Sequence, residues 1–310
     1  MVFEHARDAR VTFPEVVTGA GWNPEWSAST DGQGLRRNGG DRELPPEAIG
    51  ICLGDSIMFG VGLNDDETIP ALLSRFVSQS LAQRFECLNF GVSNYTTAQE
   101  VEFFRFKRAV DQNPIAVVLG IYINDFKTSP GRMRVIDGRT ELVQPGAAPW
   151  PSADFWDLRL WKLATSSATV LRDELRRRGL YPQANSKPLK PEQIAAVYGA
   201  LDELREMLKP GNVPLLIVSF PRDWQLGVSD RAAASERQRV VREYCEERRV
   251  AYIDLLDHYY GKPIESYFRP GDDSHPHASA ARAIGEVIGE EVVRMLGTGA
   301  GEGSSPPARK

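Results

Sequence analysis

The chain has 310 residues and a formal net charge of −5, which is room for one large domain or two small ones and lacks the basic surplus that nucleic acid or anionic lipid selects. Hydrophobic residues make up 42% and charged residues 25%, the balance of a chain that buries a substantial core. The charged segment 1–10 has no signal-peptide core, and no apolar run is long enough to span a bilayer.

Residues 1–47 hold Trp22, Pro24, Trp26, Pro45, Pro46 and several glycines, a composition that predicts an irregular arm with small extra strands packed on the core. Five short apolar runs come next, at 48–53, 85–90, 115–121, 213–220 and 250–255. Each is apolar throughout rather than alternating, as in strands buried on both faces of a parallel sheet. Helical spacing fills the gaps at 67–83, 96–111, 191–209 and 230–248, and again at 277–296. Pro191 suits a helix start, where a missing N–H matters little. The alternation predicts a doubly wound α/β sheet with crossovers on both faces. Residues 126–189 interrupt it as a helical insertion and candidate lid. The Gly/Ser/Pro-rich tail 297–310 has a disordered composition.

Ligands of such sheets bind beyond the carboxyl ends of the strands, and Ser56, Asn94 and Asn124 fall just after the first three. Ile51-Cys52-Leu53-Gly54-Asp55-Ser56 sets a serine on a tight turn, exposed and beside backbone N–H groups. An acyl-transfer nucleophile needs that access, together with a base and oxyanion donors. The GxSxG elbow is absent, and Gly-Asp-Ser alone also fits an ordinary strand–turn–helix junction.

Only four histidines occur: His5, His258, His275 and His277. His275 lies in Asp272-Asp273-Ser274-His275-Pro276-His277, where a nearby carboxylate can fix the imidazole tautomer and stabilise imidazolium. The same stretch also reads as a helix-start loop with Asp caps. A metal reading draws on its two carboxylates and two histidines, but no second ligand cluster supports it. No cofactor or metal is expected. Cys52, Cys87 and Cys245 are odd in number and lack zinc spacing, which with the absent signal peptide predicts a cytoplasmic protein.

Three ordered blocks together resemble the SGNH (GDSL-type) hydrolase family: Gly54-Asp55-Ser56, Asn124-Asp125 after the third strand, and Asp272-x-x-His275-Pro276. The resemblance spans about 48–296, poorly over 126–189, and Gly34-Leu35-Arg36 resembles a Gly-x-Arg segment that precedes the core in some members. It implies a flavodoxin-like three-layer α/β/α sandwich with a mainly parallel five-stranded sheet, and a serine esterase or deacylase acting on small-molecule, sugar or lipid esters. By position, Ser56 would attack, His275 would serve as base and then acid, and Asp272 would orient it, with Asp273 as fallback. The Ser56 N–H, the Asn94 N–H and the Asn124 side chain would form the oxyanion hole. Two departures stand out. Asn94 replaces the usual glycine, which should narrow the acyl pocket although asparagine tolerates left-handed angles. The glycine two residues before Asn124 is also missing.

Other features carry two readings each. The stripe Phe155, Trp156, Leu160, Trp161, Leu163, Ala164 and Leu171 is a packed helix face or a lid. Arg176-Arg177-Arg178 is a solvated helix end or an attraction for an anionic substrate such as a phosphorylated carrier arm. Pro221-Arg222-Asp223-Trp224 shapes the substrate pocket or is a plain turn. An acyltransferase or thioesterase with a carrier-protein or biosynthetic partner would use the same site. A pantetheine-bearing carrier segment around Ser56 is disfavoured by the strand before it, and a catalytically silent binding descendant has no support in the key residues.

Overall fold

The apolar runs form strands because their side chains have two hydrophobic layers to enter. In a computed structural model, which describes residues 5–14, 16–18, 21–23, 25–39, 45–126, 132–136, 139–143, 188–226, 235–269 and 275–299, the central sheet contains β5 (Ala48–Gly54), β6 (Phe85–Gly91), β7 (Ala116–Ile121), β10 (Leu215–Ser219) and β11 (Ala251–Asp254). All neighbours pair in parallel. Alternate residues of β7 face opposite layers: Val117, Leu119 and Ile121 enter one core, Ala116 and Val118 the other. The first core is closed by α3 (Thr97–Phe106), α4 (Pro191–Leu208) and α6 (Glu236–Arg248). The second is closed by α2 (Ile69–Leu81) and α8 (Ala278–Gly299), the short α5 (Asp223–Leu226) and α7 (Leu255–Tyr259) following β10 and β11. The result is the expected three-layer α/β/α sandwich. No described helix is long and apolar enough to cross a membrane.

The strand order β11-β10-β7-β5-β6 reverses between β5 and β7. In sheets of this order the crevice at that reversal, beyond the carboxyl ends, is where ligands sit. Ser56 follows β5 and Asn124 follows β7, so both border this crevice.

Short antiparallel pairs decorate the sandwich. In the arm, β1 (Arg10–Phe13) pairs with β4 (Trp26–Ser29), and β2 (Val16–Thr18) with β3 (Gly21–Asn23). Inside the insertion predicted as helical, β8 (Arg132–Ile136) and β9 (Arg139–Val143) form an antiparallel pair. The Trp156–Trp161 stripe and Arg176–Arg178 lie outside the described residues. The last helix runs to Gly299, three residues beyond its predicted end.

Arg36 ties the arm to the core. Its side chain is fully buried and donates to the carbonyls of Phe59 (3.1 Å), Gly60 (2.9 Å), Leu63 (2.6 Å) and Ser27 (3.1 Å), and to Asp65 (3.0 Å). The rings of Phe59 and Trp26 flank the guanidinium. A planar fork of five donors suits this convergence of oxygens; a lysine ammonium would not. Phe59 and Gly60 end the short helix that begins at Ser56, so Arg36 fixes the far end of the turn that carries Ser56.

Candidate active site

Ser56 opens α1 (Ser56–Phe59). Asp55 caps this helix, its carboxylate accepting from the Ile57 N–H at 2.9 Å, and Gly60 closes it at φ 84°. One side of α1 lies directly on the end of β6. A Cβ on Gly91 would come within 2.2 Å of the Phe59 nitrogen, so only glycine lets helix and strand approach this closely.

His275 reaches the same point from 219 residues away in sequence, its Nε2 lying 2.9 Å from Ser56 Oγ. His277 does something else. Its Nε2 donates to the Glu265 carbonyl at 3.0 Å and its Nδ1 accepts from the Ala280 N–H at 3.0 Å. It therefore caps α8, and both ring nitrogens are occupied, which removes one ligand from the metal reading. Asp272 and Asp273 lie outside the described residues.

The second and third blocks meet each other beside this pair. Asn124 Nδ2 donates to the Tyr95 carbonyl at 2.8 Å, while its buried Oδ1 has no hydrogen-bond partner. The Val92 N–H donates to the Gly54 carbonyl at 3.0 Å, joining the loop after β6 to the end of β5, two residues before Ser56. Asn94 adopts φ 65°, the left-handed conformation anticipated for the residue that replaces glycine. Its side chain is exposed.

The sequence model described as the GDSL-like Lipase/Acylhydrolase family matches residues 52–283, well over half the chain. The chain belongs to this family. Solved structures show more distant likenesses. The lipase/acylhydrolase from Enterococcus faecalis is 13% identical, with 81% of this chain and 96% of that one covered at a TM-score of 0.47. LAE5, an alpha/beta hydrolase enzyme from the metagenome of Lake Arreo, is 16% identical (82% and 97%, TM-score 0.47). The psychrotrophic esterase EstA from Pseudoalteromonas sp. is 13% identical (81% and 100%, TM-score 0.45). No curated protein matches the chain. Membership rests on the sequence model, and it makes this GDSL-family chain a serine ester hydrolase.

Behind the site of this GDSL hydrolase lies a group of buried carboxyls that sequence reasoning missed. Asp125 accepts from the Tyr122 N–H (2.6 Å) and the Thr97 hydroxyl (2.8 Å), bracing the turn that carries Asn124. Burial, then the charge of Asp55, raises its pKa to about 8 against the pull of those donors. Burial likewise raises Asp55, opposed by the Ile57 N–H, His275 and Asn124. Glu100 is wholly buried with neither oxygen hydrogen-bonded; burial and then Asp125 push it well above the usual carboxylate range. The sequence signals were Asp55 and Asp125, each adjacent to a candidate site residue, Ser56 and Asn124; Glu100 had none.

This arrangement sets a pH dependence. The folded Asp125 keeps its proton to about pH 8, whereas an unfolded aspartate releases it near 4. Its contribution to stability is therefore complete below about pH 4 and drains away as pH rises towards 8. Thermal unfolding should show a falling Tm between pH 5 and pH 9. The fall should be smaller in Asp125→Asn; an equal fall in both would exclude Asp125 as the source.

Proposed function

We propose that Ser56 is the nucleophile and His275 the general base, in an acyl-enzyme mechanism. Ser56 Oγ attacks the ester carbonyl as its proton passes to His275 Nε2. The tetrahedral intermediate then breaks the bond to the alcohol, and that proton goes to the departing oxygen. Water repeats the sequence on the acyl-enzyme, releasing free acid and restoring Ser56. Asp272, with Asp273 as the fallback, holds the imidazole in the tautomer that leaves Nε2 free to accept. The backbone N–H groups of Ser56 and Asn94 and the Asn124 amide receive the developing oxyanion.

The observation that carries this reading is the 2.9 Å approach of His275 Nε2 to Ser56 Oγ, within the reach required of a base and its nucleophile. The proposed unit is residues 48–296, with the arm 1–47 packed on it and 126–189 inserted. Its substrate class is esters of small molecules, sugars or lipids. The three buried free thiols suit the reducing cytoplasm proposed for it.

The test is hydrolysis of a short-chain aryl ester. The wild type should release free acid even with an added alcohol present, and His275→Gln should lose about 10³-fold or more in kcat. Equal turnover by the variant would contradict the assignment of the base, and an alcohol ester as the main product would point to acyl transfer.

A further inference from the structure

The turn that follows Ser56 presents a row of backbone carbonyls, and two arginines, one from each side of it in sequence, take them. Arg36 of the arm binds those of Phe59, Gly60 and Leu63. The Val61 carbonyl goes to Arg269, whose Nη2 donates to it at 3.1 Å from 208 residues away in sequence. Arg269 is 8% exposed, and its guanidinium lies directly on Gly62. A Cβ at Gly62 would fall 1.4 Å from Nη1 and 2.1 Å from Cζ, and the backbone there has φ 77°. Position 62 requires glycine on both counts.

Each end of this contact leads to one member of the Ser56–His275 pair. On one side, the Val61 N–H donates to the Ser56 carbonyl at 3.0 Å. Val61 alone therefore stands between the guanidinium and the Ser56 backbone. On the other side, Phe268 pairs with Pro276 in an antiparallel bridge, and the His277 N–H donates to the Tyr267 carbonyl at 3.0 Å. Tyr267 and Phe268 are fully buried, and the two residues they hold follow His275 directly. The segment 267–269 thus carries the His275 loop along its edge and grips the Ser56 turn with its last side chain. Arginine suits this contact, because its rigid planar fork donates to a carbonyl while its face covers the bare backbone of a glycine.

We propose that Arg269 is a positioning residue, clamping the loop that bears His275 onto the turn that bears Ser56 and so holding Nε2 and Oγ at the 2.9 Å between them. It acts through the two loops and not on the ester. A misplacement of about 1 Å at a reacting centre costs on the order of 10²-fold in rate, which sets the size of the effect.

The inference rests on the roles of Ser56 and His275 proposed above, and the experiment separates the two. Active sites are titrated with an aryl phosphonate, and kcat on a short-chain aryl ester is expressed per titrated site at a temperature where each variant is folded. Arg269→Gln should lower this kcat by roughly 10- to 100-fold, with KM within about twofold of the wild type, and phosphonylation should slow in proportion. Arg269→Lys, which keeps the charge and a donor but not the planar face, should fall between the two. Arg248→Gln is the control. It breaks a 2.9 Å bond to Asp202 just before β11, at the amino-terminal edge of the sheet, and should lower Tm while leaving kcat per site unchanged. A purely structural Arg269 would behave as that control does, with fewer active sites but wild-type turnover in each, and this result overturns the clamp. A rise in KM with kcat intact also overturns it. Should Arg269→Gln yield no folded protein, Arg269→Lys decides, and wild-type turnover per site in that variant overturns the clamp. Neither phosphonylation nor hydrolysis in the wild type overturns the parent reading and this one with it.

Discussion

Ser56→Ala is expected to cut kcat on a short-chain aryl ester by about 10³-fold or more, on the order seen when a member of a nucleophile–base unit is removed. The reason is local. His275 Nε2 meets Ser56 Oγ at this point, and nothing else in the proposed mechanism can form the acyl-enzyme. The fold should not change with it. The bonds that shape the turn belong to Asp55, Gly60 and Arg36, and none uses the Ser56 hydroxyl. An unaltered Tm beside the lost activity separates chemistry from misfolding. Full hydrolysis by the variant would remove Ser56 from the mechanism.

The second large effect is expected at Asn124. Replacing it with alanine should lower kcat by about 10²–10³-fold with KM little changed, because a donor to the oxyanion acts in the transition state and not on the bound ester. In the absence of substrate the same amide holds the Tyr95 carbonyl at 2.8 Å, so the variant also loosens the loop bearing Asn94. If that loosening were the whole effect, substrate binding would weaken and KM would rise in step. A rise in KM with kcat intact would assign Asn124 to loop anchoring and not to the oxyanion.

Legibility in the sequence depended on how local each signal was. The strands were legible because burial on both faces requires continuous apolar runs, and β5 and β7 have them. Ser56 and His275 were legible because each lies in a short block with a fixed order along the chain. Arg36 was visible only as a resemblance. Its partners, at Ser27, Phe59, Gly60, Leu63 and Asp65, meet only once the arm has docked. The Asp125–Thr97 bond likewise joins residues 28 apart. The β8–β9 pair is different, since its signal is local. Asp137-Gly138 sits between two β-prone runs, a strong short-range hairpin pattern, and the helical aromatic spacing farther along the insertion masks it.

Labelling with an aryl phosphonate tests the convergence of Ser56 and His275 most directly, since only an activated serine is phosphonylated at stoichiometric reagent. Intact mass and peptide mapping should find a single adduct per chain, on Ser56, with esterase activity lost in proportion and labelling suppressed in His275→Gln. An adduct on another residue, or ester hydrolysis persisting after complete labelling of Ser56, would contradict the account.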